Sequence, residues 1–254
     1  MSYGLALGGG GFRGFAHIGA LKFLEEKGFK PNIISGTSVG SIIGAMISKG
    51  YNSDEIFEFS KKILDYSQVI DLNFSLKGLF SKDKVKEVLK PYLTGNIEDL
   101  EVKFVAVATN LVTGMPEYIE KGNIINAVSA SISIPAFFNP EKIGKKTLID
   151  GGITNIVPAN ILKEKGAKKI ISISLLHFDK EAVKPNILIN NIAKQSFYII
   201  QDSLARQDQQ SATIKIEIET GKYSIFSAHN HKKLYDLGYK AAKKHEKEID
   251  QLLK

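Results

Sequence analysis

The feature that most restricts this chain is an alternation of short uncharged apolar runs with helix-period patterns, joined by glycine-rich turns. Residues 3–8 read as a strand and lead directly into Gly8-Gly9-Gly10-Gly11. A helix then fits residues 14–28, with Phe15, Ile18, Leu21 and Leu24 on one face and Gly28 as its stop. Residues 32–36 read as a second buried strand, followed by a helix over 39–49. Strand, turn and helix in that order predict an α/β sheet.

The pattern continues. Helices fit 53–66 and 82–92, a strand fits 104–109, and 123–133 is helical up to Pro135. Gly144-Lys145 is the turn of a hairpin whose second strand ends at Asp150. Residues 169–175 form another buried strand, and 187–210 and 232–253 are long amphipathic helices. Between those helices Ile214, Ile216 and Ile218 alternate with Lys215, Glu217 and Glu219, the mark of a half-buried strand over 213–219. No repeat or linker interrupts the 254 residues, so a single domain over 1–254 is expected.

Cysteine is absent, which excludes a disulfide framework, a thiol nucleophile and thiolate metal sites. The uncharged stretches 31–48 and 122–140 are broken by Gly, Ser, Asn or Pro, so neither reads as a membrane span. The start, MSYGLALGGG, lacks the basic n-region of a signal peptide, and a cytoplasmic location is expected. The net charge of +7 is almost all lysine, because only Arg13 and Arg206 are arginines. Spread lysine is mostly a solvated surface. Where it meets a partner, an anionic membrane surface suits it better than nucleic acid, whose bases are read by arginine forks.

Gly9, Gly11 and Gly14 satisfy the G-x-G-x-x-G spacing of a dinucleotide site. The second strand, however, ends at Ser35-Gly36 without the carboxylate that a ribose needs, and Glu25 and Glu26 come too early. No Gly-Lys-Ser/Thr follows, which removes a Walker phosphate loop. Consecutive glycines instead let backbone N–H groups converge on one point, beside the positive end of a helix dipole. Such a place suits a bound phosphate or an oxyanion formed during reaction.

Gly36-Thr37-Ser38-Val39-Gly40 is a G-x-S-x-G sequence between a buried strand and a helix, the context of a nucleophile elbow. A serine nucleophile needs a base. Chain order Ser-Asp-His would use His177, His229 or His231, yet none of these sits in a motif that fixes its geometry, and the elbow falls on only the second strand. His17, inside the first helix, reads as structural. The other candidate base is Asp150 in Asp150-Gly151-Gly152, although Asp-Gly alone is a common turn.

Taken in order, Gly9-Gly10-Gly11-Phe12-Arg13-Gly14, Gly36-Thr37-Ser38-Val39-Gly40 and Asp150-Gly151-Gly152 resemble the three motifs of the patatin-like phospholipases. Residues 127–140, with Ser129-Ala130-Ser131 and Ile134-Pro135, are similar to the segment before that family's aspartate. The resemblance covers residues 4–175. It implies a three-layer α/β/α sandwich, with the helices and strand of 176–254 packed on that core. It also implies hydrolysis of lipid or lysophospholipid acyl esters by a Ser-Asp dyad, without metal or cofactor.

On that basis Ser38 is the expected nucleophile, Asp150 the base, and the amides of Gly9, Gly10 and Gly11 the oxyanion hole. Arg13 would steady the loop or meet a phosphate, and Gly14, Gly36, Gly40, Gly151 and Gly152 support the turns. An aspartate with a reference pKa of about 3.9 is a weak base, so burial should raise it, offset in part by hydrogen bonds to the carboxylate. Two other readings stay open: a histidine-dependent esterase, and a ligand-binding protein on a degenerate hydrolase core. The apolar stretch 69–80, at its widest 67–81, reads as either core or a lid at the acyl channel.

Overall fold

The structure, a computed structural model, describes residues 1–70, 82–176, 178, 189–226 and 229–254. Its strands are β1 (Tyr3–Leu7), β2 (Ile33–Thr37), β3 (Lys103–Asn110), β4 (Pro116–Ile119), β5 (Glu141–Ile143), β6 (Lys146–Asp150), β7 (Lys169–Leu176) and β8 (Ile214–Glu219). Its helices are α1 (Phe15–Glu26), α2 (Val39–Ser48), α3 (Ser53–Ile70), α4 (Lys82–Leu89), α5 (Ile124–Ser131), α6 (Ala159–Glu164), α7 (Ile189–Asp208), α8 (His231–Lys244) and α9 (Glu246–Leu252). Strands β3, β2, β1, β7 and β8 lie parallel in that spatial order, and β4, β5 and β6 are antiparallel additions.

Successive side chains of a strand point to opposite faces, and here both faces are covered. Leu5, Leu7, Ile34, Phe104 and Ala106 join one core with Ile18 and Leu24 of α1, Met46 of α2, Val128 of α5 and Leu234 of α8. Ala6, Ile33 and Val105 join a second core with Ile161 and Leu162 of α6 and Ala205 of α7. The result is the three-layer α/β/α sandwich. On the first face α1 and α8 touch backbone to backbone: a Cβ on Gly19 would lie 1.9 Å from the Tyr235 carbonyl oxygen, and one on Gly238 1.8 Å from that of Ala16.

Strand pairing at β3 sets the site. Ala106 and Val107 pair with both β2 and β4, so those two strands flank opposite edges of β3. Ala108 and Thr109 pair with both β4 and β6, which leaves β6 on the same edge as β2. The two therefore meet end to end. β2 stops at Thr37 opposite Val107, and β6 stops at Asp150 opposite Ala108.

Three elements depart from the expected pattern. The helix over 232–253 is split at His245 into α8 and α9. The four-residue β4, which opens on a proline, and the six-residue α6 were not anticipated. In the stretch 69–80, Val69 and Ile70 close α3, and the rest lies outside the described residues, as does His177. Among the described residues no helix is long and apolar enough to cross a membrane.

Candidate active site

Ser38 links β2 to α2 with φ 54° and ψ −124°, a backbone state that a residue with a Cβ rarely adopts. Such strain costs on the order of 1–3 kcal/mol and persists only when its surroundings impose it. The imposing contacts are visible. A Cβ on Gly36 would lie 2.3 Å from the Gly40 carbonyl oxygen, and one on Gly40 2.2 Å from that of Leu7. The Ser38 N–H donates to Ser131 Oγ at 2.9 Å, and Ser131 Oγ donates to the Val107 carbonyl at 2.6 Å. The Ser38 carbonyl accepts from Ser41 Oγ at 2.7 Å. The elbow is thus clamped from α5, β3 and α2 together.

Asp150 closes β6. Its N–H donates to the Ser133 carbonyl at 2.9 Å, its carbonyl accepts from Thr109 Oγ1 at 2.9 Å, and its Oδ1 accepts from the Gly152 N–H at 2.8 Å. A Cβ on Gly151 would fall 2.3 Å from the Val107 carbonyl oxygen, so this turn also requires glycine. Ser38 and Asp150 are each 6% exposed and line one cavity with Gly9, Gly10 and Gly11. Burial pushes the Asp150 carboxyl up to about 6, while the Gly152 N–H and the Ser38 hydroxyl pull it back. Among the described residues no aligned hydrogen bond reaches the buried Oδ2.

The glycine loop requires a correction. Gly9, expected to offer its amide to an oxyanion, donates it to the Ile156 carbonyl at 3.1 Å. Gly11 has φ 56°, and a Cβ there would lie 2.4 Å from the Ile225 carbonyl oxygen. Arg13 is 1% exposed, and its Nε and Nη2 donate to the carbonyls of Tyr223 and Gly221 at 2.7 and 3.0 Å. Its guanidinium also lies 5.2 Å from the centre of the Tyr198 ring. Arg13 therefore steadies the loop. Buried so completely, it is out of reach of a substrate phosphate.

Three groups of the cavity come from the part of the chain without motifs: Phe197 and Gln201 of α7, and Ile225. Gln201 Nε2 donates to the Gly152 carbonyl over a long 3.4 Å. Asp208, at the end of α7, accepts from the N–H groups of Ile156 and Val157 at 2.7 and 3.2 Å, fixing the segment that holds Gly9. The readable signal was the helix itself, whose buried face carries Gln195, Gln201, Asp202 and Asp208 where apolar residues would be ordinary.

Among the described residues no histidine lines the cavity. His17 is buried, with Nε2 donating to the Gly8 carbonyl at 2.8 Å. His231 packs its ring on Phe15 and Phe57, and His229 is exposed.

Comparison with known proteins fits this geometry. A lysophospholipase NTE1 of Debaryomyces hansenii is 31% identical over 180 residues, which cover 68% of this chain and 12% of that protein. An NTE family protein of Mycobacterium bovis is 32% identical over 174 residues, 67% of this chain and 48% of that protein. The chain thus spans less than half the length of either relative. The crystal structure of VipD from Legionella pneumophila shares the fold, with a TM-score of 0.55 at 15% identity over 98% of this chain and 67% of that one. The family model for patatin-like phospholipase matches residues 5–163. The chain belongs to the patatin-like phospholipase family.

Proposed function

We propose that the chain hydrolyses lipid acyl esters, with Ser38 as nucleophile and Asp150 as its base. The observation that carries this is the end-to-end meeting of β2 and β6, which brings a strained serine and a buried carboxylate into one cavity beside a glycine loop. The names of its relatives favour lysophospholipids as the substrate class.

In this reading Ser38 Oγ attacks the ester carbonyl carbon while its proton passes to Asp150. The carbonyl oxygen becomes an oxyanion facing the N–H groups of Gly10 and Gly11, the two loop donors that remain once Gly9 is held by Ile156. Collapse of the tetrahedral intermediate breaks the bond to the alcohol, which leaves with the proton from Asp150. A water then gives a proton to Asp150 and attacks the acyl-serine, and its collapse returns the proton to Ser38 and frees the fatty acid. A carboxyl held at about 6 is ionised at pH 7 yet basic enough to take part.

Ile134, Pro135, Ile153, Ile156, Phe197 and Ile225 give the cavity apolar walls along which an acyl chain would lie. The test is fatty-acid release from lysophosphatidylcholine by the wild type and by Ser38→Ala. Release by the wild type alone supports the proposal, and equal release by both overturns it.

A further inference from the structure

We propose that two adjacent hairpin tips at the catalytic edge of the sheet, residues 111–115 and 142–146, form a docking surface for an anionic lipid membrane. This inference rests on the reading of the chain as a lipid acyl hydrolase.

The first tip joins β3 to β4 and is apolar where a turn is normally polar. Leu111, Val112 and Met115 are 53%, 82% and 62% exposed, and no charge occurs between Lys103 and Glu117. The tip is also well built. Asn110 Oδ1 accepts from the N–H groups of Val112 and Thr113 at 3.0 and 3.3 Å, and the Asn110 carbonyl accepts from the Gly114 N–H at 2.8 Å. Its own N–H donates to the Met115 carbonyl at 2.9 Å. With the Met115 N–H donating to Thr113 Oγ1 at 3.3 Å, these bonds pair the N–H groups of the tip, which would be costly to carry unpaired into a lipid interface.

The second tip lies beside the first, because the Leu111 N–H donates to the Thr147 carbonyl at 2.9 Å. It carries Lys142, Lys145 and Lys146, all exposed. Glu117 pairs with Lys146, but Glu141 is bound inward by Lys82 and Lys86 at 2.8 and 2.9 Å and does not offset the other two. An apolar wedge next to lysines matches acyl chains next to anionic headgroups.

Register fixes the distance to the chemistry. Asp150 is opposite Ala108, and Leu111 is three residues further along, roughly 10 Å at the rise of a strand. A wedge lowered into the headgroup layer would bring the cavity mouth to the membrane surface. A protein partner would be served by the apolar tip alone. The lysine tip beside it, at the edge where a lipid ester must arrive, favours the membrane.

The test is cosedimentation of the full chain with phosphatidylcholine vesicles, with and without phosphatidylglycerol, in a Ser38→Ala background so that hydrolysis plays no part. Replacing Leu111, Val112 and Met115 together by serine should weaken partitioning about tenfold or more. The pair Lys142→Glu and Lys145→Glu should remove the preference for phosphatidylglycerol. In the Ser38-intact chain neither set should alter the melting temperature or the turnover of a soluble short-chain ester. Wild-type partitioning by both sets overturns the proposal, and so does a change in oligomeric mass with the tip serines while vesicle binding stays intact. Failure of the hydrolase reading looks different: no fatty acid is released by the wild type, whatever the vesicles bind.

Discussion

Gly36, Gly40 and Gly151 stand where any Cβ would strike a backbone carbonyl, while Phe197, Gln201 and Asp208 of α7 reach the same cavity or its supports through side chains. The two regions use different means. The motif-bearing turns set a backbone so tight that only certain residues fit, which confines them to short recognisable sequences. The C-terminal region contributes walls and acceptors, as when the carbonyls of Gly221 and Tyr223 receive Arg13, and a carbonyl can come from any residue. Tight backbone leaves a signature in sequence, and packing does not.

The largest effect is expected at the motif-bearing turns. Ser38→Ala should lower ester turnover by about 10⁴-fold or more while leaving the melting temperature nearly unchanged, because alanine inherits the same strained φ. Asp150→Asn should cost on the order of 10²–10⁴ in turnover, measured with the same ester.

Asp150 also has a stability signature. Its carboxyl is raised from 3.8 to about 6 on folding, so its ionisation opposes folding above that range. The wild type should therefore gain stability relative to Asp150→Asn as pH falls from about 6 to about 4, by on the order of 3 kcal/mol. Urea denaturation at pH 4 and pH 8 checks the sign.

Arg13→Met tests the bond between the two regions. It strands two carbonyls and should lower stability by about 2–4 kcal/mol, read from urea midpoints. The smallest effect belongs to the wall: Gln201→Ala should reduce kcat by roughly threefold to tenfold with little change in KM, since its bond to Gly152 is long.

What could be read in the sequence follows the same division. The glycine loop, the Ser38 elbow and the Asp150 turn were legible because their geometry forbids most residues. The order of strands and helices was legible because buried strands are continuously apolar and helices are periodic. β4 and α6 were not, since a strand of four half-buried residues and a helix of six are too short to show a period. The engagement of the Gly9 amide by Ile156 was equally hidden, because a carbonyl acceptor is the same in every residue. Gln201 and Asp208 left a faint trace as polar residues on the inward face of α7, a trace that marks a buried network without naming its target.

In the proposed mechanism Ser38 depends on Asp150 and not on histidine. The direct measurement is the rate at which a fluorophosphonate labels Ser38, with the adduct located by mass spectrometry, in two variants. One replaces His177, His229 and His231 together by glutamine; the other is Asp150→Asn. Labelling is expected to stay within about threefold of wild type in the first and to be at least about 100-fold slower in the second. The reverse order, slow without the histidines and fast without the carboxylate, would contradict that mechanism.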